Sequence, residues 1–159
     1  LKKQVKEEGH TLNQFCDALE RGDAKEVEKC FTGYLKKTIS ICDTFVKKPM
    51  KENFYHDILL GILREIDKWG ISSDREIGDD HSDIVVETEN SATGIILEIK
   101  YEHDGNLVES CENALEQIVN AHYEEKMKNE GVDRILKYGI ACYKKRCKVQ
   151  LIGDEEGRL

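Results

Sequence analysis

The chain has 159 residues, of which 35% are charged, 39% are hydrophobic and one is proline. These figures exclude a membrane span, a collagen-like repeat and a Pro/Gly-rich disordered chain, and they favour one domain-sized core. Acidic residues outnumber basic ones by 32 to 24, so the net charge of -8 excludes a global cationic field that would draw the chain onto nucleic acid.

The N-terminal 70 residues predict three helices. Apolar residues recur at three- and four-residue steps from Thr11 to Val46, with a break where Gly22 can end one helix and Asp23 can cap the next. A third amphipathic stretch runs from Lys51 to Trp69 and is ended by Gly70. The chain is therefore predicted to begin with a helical hairpin, followed by one more helix.

Beyond residue 70 the apolar period changes from 3.6 to 2, as it does in strands. Strands are predicted at residues 71–77, 82–88, 93–101, 134–143 and 146–152, and one long helix at residues 107–129. The short connections predict three consecutive antiparallel strands and a C-terminal hairpin. This order predicts an α/β fold, a mixed sheet of about five strands with helices on its faces.

The cysteines and histidines show no metal-binding spacing. The six cysteines form no CxxC pair and have no histidines at zinc-finger distance, so we expect free thiols in a reducing, cytoplasmic compartment. The five histidines are expected at the surface or at helix edges. Because the chain begins with leucine and has no signal-peptide pattern, it is expected to be a cut-out fragment or a processed product.

The third predicted strand carries two opposite charges in an apolar run. Glu98 and Lys100 would project from the same side, about 7 Å apart along the strand. Asp83 begins the preceding strand, and antiparallel pairing could bring its carboxylate beside Glu98. Converging carboxylates need a shared proton or a divalent cation, and the neighbouring lysine favours Mg²⁺ or Mn²⁺. On spacing alone, an ion pair on a solvated sheet face remains the alternative for Glu98 and Lys100.

The segment in which Asp83 is followed, after fourteen residues, by Glu98-Ile99-Lys100 resembles the PD-(D/E)XK nuclease superfamily. More closely, residues 50 to 150 resemble the PD-(D/E)XK domain found C-terminal to an AAA-ATPase-like domain in many bacterial and archaeal proteins. The stretches that carry this resemblance are residues 52–56, 78–86, 96–101, 114–118 and 138–141, with Tyr123. The resemblance implies a restriction-endonuclease-like domain at residues 49–159, preceded by a helical connector at residues 1–48.

The resemblance also implies roles for five residues. Asp83, Glu98 and Glu52 would bind the metal, and all three would belong to the catalytic set. Lys100 would be the catalytic lysine, and Gln117, on the helix after the third strand, would be an additional polar group of the same site.

A basic cluster lies near the C terminus and includes Lys144, Lys145, Arg146 and Lys148. It is the densest positive cluster of the sequence. A solvated hairpin tip explains it, and so does weak binding of a nucleic-acid backbone. Both interpretations stay open.

Together these features predict a magnesium-dependent (or manganese-dependent) nuclease that hydrolyses DNA phosphodiester bonds, with no membrane partner. The alternative is a nuclease-fold binding or regulatory module of an ATPase-linked protein, which the acidic charge and the turn at Asp79-Asp80-His81 favour. A plain helical-hairpin interaction domain would leave the charged strand unexplained. A double-strand cut would need two sites, hence a homodimer or repeated encounters.

Overall fold

The computed structural model describes residues 2–42, 51–74, 83–88, 92–102, 106–120 and 123–153. The helices are α1 (Lys2–Arg21), α2 (Ala24–Cys42), α3 (Lys51–Arg64), α4 (Leu107–Asn120) and α5 (Tyr123–Asn129). The strands are β1 (Gly70–Asp74), β2 (Asp83–Glu87), β3 (Thr93–Tyr101), β4 (Arg134–Tyr143) and β5 (Arg146–Gly153). In these described ranges no helix is both long enough and apolar enough to cross a membrane.

The N-terminal helical hairpin has the break that the sequence predicts. Gly22 has a φ of 77°, and the N–H of Asp23 donates to the carbonyl of Ala18 over 3.0 Å, which closes α1 with a Schellman-type bond. Asp23 Oδ1 accepts the N–H of Glu26 over 3.1 Å and thereby caps α2. Helix α1 begins at Lys2, earlier than the apolar periodicity from Thr11 predicts.

The five strands form one mixed sheet in the order β1-β2-β3-β4-β5. All neighbours are antiparallel except β3 and β4, which are parallel and are connected through α4 and α5. The predicted α/β fold and mixed sheet are confirmed. Strand β1 ends at Asp74, and residues 75–77 of the predicted strand lie outside the described residues, as does residue 82 at the start of the next predicted strand. The long helix predicted at residues 107–129 is described as α4 and α5, on either side of residues 121–122, which are also outside.

Each face of the sheet carries its own helices. One face packs against α1, α2 and α3, with fully buried residues such as Phe15, Phe31, Leu59 and Leu97. On the other face, Ile96 and Ile135 pack against α4 and α5 together with Leu115, Ile118 and Met127. Because side chains alternate along a strand, neighbouring residues of β3 pack into the cores on opposite faces of the sheet.

Hydrogen bonds join the helical hairpin to the sheet. The Tyr138 hydroxyl donates to the carbonyl of Leu19 over 2.8 Å, and Arg134 Nη1 donates to the carbonyl of Glu20 over 3.0 Å. Strand β5 donates the N–H of Val149 to Glu28 Oε1 over 2.9 Å. These bonds and the shared core make the hairpin a packed layer of the sheet. The division at residues 48 and 49 stays a prediction, because it falls outside the described residues.

Among the thiols and histidines, one expectation is confirmed and one is wrong. Five cysteines are free and buried, and Cys42 lies where the structure describes no side chain. His56 is only 2% exposed, so its predicted place at the surface or at a helix edge is wrong. Its Nε2 lies 2.9 Å from Ser73 Oγ, which ties the edge strand β1 to α3.

Candidate active site

Two carboxylates meet at the centre of the sheet. Asp83 on β2 and Glu98 on β3 are direct register partners. Side chains so paired in an antiparallel sheet have Cβ atoms about 4.5–5.5 Å apart. Asp83 is 6% exposed and Glu98 is 0% exposed, and Asp83 Oδ1 and both Glu98 carboxylate oxygens each expose less than 1 Å². The predicted juxtaposition of these two residues is therefore present, and it is shielded from solvent.

The site faces α4. Leu97 and Ile99 belong to the core beneath α1 to α3, whereas Ile96 packs against α4 and α5. Alternation along β3 therefore places Glu98 and Lys100 on the α4 side. Lys100 is half-buried and follows Glu98 by one strand repeat of about 7 Å. Two carboxylates and one ammonium thus occupy the same face of two adjacent strands.

Gly139 brings α4 close to this face. It is the register partner of Glu98 on β4. A Cβ added at Gly139 would lie 2.5 Å from the carbonyl oxygen of Cys111 and 2.9 Å from Leu115 Cγ. Any side chain larger than hydrogen would collide with the helix, so the glycine permits direct contact between α4 and the sheet beside Glu98.

Gln117 lies on α4 within this layer. It is one helical turn beyond Ala114, whose Cβ would lie 3.3 Å from a Cβ added at Gly139. Gln117 Oε1 is buried and has no hydrogen-bond partner among the residues that the structure describes. A buried amide oxygen in this state is suited to accept a hydrogen bond from a water or a substrate. The place of Gln117 agrees with its predicted role, and the role itself stays a prediction.

The remaining predicted carboxylate is placed only by its backbone. Glu52 lies near the start of α3, and nothing is described of its side chain. The turn at residues 79–81 falls outside the described residues.

Sequence reasoning missed one acid that lies close to the site along the sheet. Asp74, at the end of β1, is the register partner of Asp83. Its side chain is not described, and only the β1–β2 register could have pointed to it.

The basic cluster divides in two. Lys144, Lys145 and Arg146 are exposed at the turn between β4 and β5. Lys148 instead faces the hairpin, with its Nζ 3.6 Å from Glu28 Oε1. The three residues of the turn are better placed to meet a polyanion than Lys148, which already has a carboxylate partner.

The donor set fits a hard divalent cation. Mg²⁺ is commonly bound by one or two carboxylates and completes its coordination with water and substrate phosphates. The shielded oxygens of Asp83 and Glu98 supply that minimum, and Gln117 Oε1 offers a further buried acceptor nearby. No group of three or more His, Cys, Asp or Glu side chains that could hold a metal occurs in the described ranges.

The fold and the site together define the class. A mixed five-stranded sheet flanked by helices, with an acid on the second strand opposite the Glu-Ile-Lys of the third, is a restriction-endonuclease-like α/β arrangement. A family model of the PD-(D/E)XK nuclease superfamily matches residues 50–151, and the chain belongs to that superfamily. No curated protein matches the chain. The matched region leaves out the helical hairpin, although the hairpin packs on the same sheet.

Proposed function

We propose that this protein is a metal-dependent nuclease that hydrolyses DNA phosphodiester bonds. The observation that carries the proposal is the direct pairing of Asp83 with Glu98, both shielded and on the same face as Lys100. Membership of the superfamily makes a nuclease-type function the general expectation. The substrate, the metal and the residue roles belong to the proposal.

In this proposal Asp83 and Glu98 hold Mg²⁺ or Mn²⁺, with Glu52 as a third carboxylate. When bound, such an ion supplies a Lewis acid that neutralises negative charge at the phosphoryl group. The β2–β3 ladder holds the backbones that carry these two carboxylates in register.

Lys100 supplies positive charge from the protein itself. Its ammonium has three donors and lies on the same strand face as Glu98, so it can stabilise the charge that builds on a non-bridging phosphate oxygen or orient the attacking water. Gln117 accepts a hydrogen bond from that water through Oε1, the oxygen that lacks a partner in the described part of the chain. The water oxygen then bonds to phosphorus and releases one proton to the solvent, the bond from phosphorus to the leaving oxygen breaks, and that oxygen takes up a proton from the solvent.

Cleavage of DNA, with and without divalent metal, tests the proposal. We expect Asp83→Ala and Lys100→Ala each to lower the rate by about 100-fold or more, as removal of one transition-state contact does. The matched control is Glu87→Gln, because Glu87 is a half-buried acid at the opposite end of the same strand and on the same face. Equal rates in wild type and all three variants would refute the assigned site.

A binding or regulatory role is the second candidate. The net charge of -8 favours it, since such a chain has little general attraction for DNA. A wild-type protein that is folded and binds DNA, but cleaves no form of it with Mg²⁺ or Mn²⁺, would establish this role instead.

Further proposals extend the resemblance to the rest of the protein. An AAA-ATPase-like domain of the same full-length chain and a second copy of this chain are the proposed protein partners. A cytoplasmic location is proposed because five described cysteines are free thiols, as is usual in reducing compartments.

A further inference from the structure

Three tyrosines form a row at the end of the sheet where β3 finishes. Tyr55 and Tyr101 stack with ring centroids 6.0 Å apart and planes at 15°, and Tyr101 and Tyr143 stack at 6.4 Å and 27°. They come from α3, β3 and β4. Tyr55 is 2% exposed, whereas Tyr101 and Tyr143 are half-buried. The tyrosine row is therefore anchored in the core at Tyr55 and reaches the surface at Tyr143.

The tyrosine row lies at the same end of the sheet as the proposed catalytic lysine, with Tyr101 on the opposite face of β3. Tyr101 directly follows Lys100, and Tyr143 directly precedes the turn between β4 and β5. The hydroxyl of Tyr55 donates to the carbonyl of Lys144 over 2.7 Å, which fixes that turn against α3. A ligand on Tyr143 would thus sit at the same end of the sheet as Lys100.

Tyr143 is partly exposed to solvent. The Nζ of the exposed residue Lys144 lies 5.4 Å from the ring centroid of Tyr143 in a cation-π arrangement. Because the lysine side chain is flexible, its ammonium can move aside so that a planar group, such as a base, stacks on the Tyr143 ring. Lys144 also has a φ of 53°, a left-handed conformation that a glycine would adopt more easily.

The charge of the turn complements a phosphate backbone. Lys144, Lys145 and Arg146 are consecutive exposed cations on a chain whose net charge is -8. Aromatic rings bordered by cations bind single-stranded nucleic acid, since bases stack on the rings while Lys and Arg contact phosphates. In a duplex the bases are already stacked on one another and do not offer a face.

We propose that Tyr143 stacks with an unpaired base of single-stranded DNA while Lys144, Lys145 and Arg146 contact its phosphates. This inference rests on the proposed nuclease function and names its substrate: DNA with a single-stranded segment at the end of the sheet where Lys100 lies. The tyrosine row supports Tyr143 from behind, so its ring is held in place before a base arrives.

Fluorescence anisotropy with a labelled single-stranded oligonucleotide tests this, in EDTA so that no cleavage intervenes. Tyr143→Leu should weaken binding about 5- to 150-fold, the effect of losing one base–aromatic stack, and Tyr143→Phe should retain most of the affinity. An oligonucleotide with abasic sites should bind wild type and Tyr143→Leu equally, because it keeps the phosphates and lacks the bases. The blunt duplex of the same sequence should bind more weakly than the single strand and be insensitive to Tyr143→Leu.

Three results would overturn the inference. They are unchanged single-strand affinity in Tyr143→Leu, equal affinity of wild type for intact and abasic oligonucleotides, and tighter binding of the matching RNA than of the DNA. The abasic comparison uses wild type alone, so it holds even where Tyr143→Leu fails to fold. Because binding is measured without cleavage, a chain that binds single strands through Tyr143 but cuts nothing would refute the proposed function and leave this inference standing.

Discussion

Gly139→Ala tests whether the close approach of α4 shapes the site. The new Cβ would lie 2.5 Å from the carbonyl oxygen of Cys111, and this backbone atom must withdraw by about 0.9 Å to reach the 3.4 Å of ordinary contact. Leu115 Cγ, at 2.9 Å, must also move. Overpacking of this kind costs about 1–3 kcal/mol, and for a chain of this size each kcal/mol lowers Tm by about 2–4 °C.

The glycines themselves provide the controls for this measurement. In the described part of the chain, no atom outside the local helix backbone lies within 4 Å of a Cβ added at Gly33 on α2 or Gly61 on α3, so alanine there should stabilise the helix by about 0.5–1 kcal/mol. Gly94→Ala would meet the flexible end of Met127 at 2.8 Å, and we expect an intermediate loss. Urea and thermal unfolding measure all four variants. If Gly139→Ala is as stable as Gly61→Ala, the account of close packing beside Glu98 is refuted.

Three further outcomes are expected. Tyr138→Phe should lower the free energy of unfolding, measured in urea, by about 1–3 kcal/mol, because it leaves the buried carbonyl of Leu19 without its 2.8 Å donor. Tyr143→Phe is the control, and an equal loss of stability in both variants would contradict the role of the Tyr138 hydroxyl in holding α1 on the sheet. Burial raises the pKa of the Cys147 thiol to about 12. The thiol of the unfolded chain ionises from about pH 9, whereas that of the folded protein keeps its proton, so the free energy of unfolding falls as the pH rises above about 9. Cys147→Ala should make the decrease of the unfolding free energy with pH less steep by about 1 kcal/mol per pH unit. An unchanged pH dependence would refute the assignment of this effect to the buried Cys147 thiol. Affinity for duplex DNA should be weak in EDTA and increase on addition of Ca²⁺ or Mg²⁺, whereas cation-independent binding of the duplex would argue against carboxylates at the DNA surface.

The local parts of the fold could be predicted from the sequence because local signals determine them. Strand β3 runs from Thr93 to Tyr101, as predicted, since its apolar run lies between two sequence segments rich in turn-forming residues. The pairing of Asp83 with Glu98 follows from a short antiparallel connection, in which Thr88 donates its N–H to the carbonyl of Thr93 over 3.0 Å. The start of α1 was missed because residues 2–10 contain few apolar positions to mark a period.

The features that sequence reasoning missed depend on contacts between distant segments. His56 is buried because Ser73, seventeen residues later, folds back over α3 in the edge strand. The steric role of Gly139 exists only once α4 crosses the parallel pair β3 and β4. The tyrosine row joins residues from α3, β3 and β4, and no spacing along the chain would indicate that their rings meet.

The central claim is that Asp83 and Glu98 form a divalent-metal site, and calorimetric titration with Mn²⁺ in the absence of DNA tests it most directly. We expect a saturable heat for wild type and for the control Glu87→Gln, and its loss in both Asp83→Asn and Glu98→Gln while their folded circular dichroism spectra persist. Retention of the wild-type binding isotherm in folded Asp83→Asn and Glu98→Gln would contradict the claim.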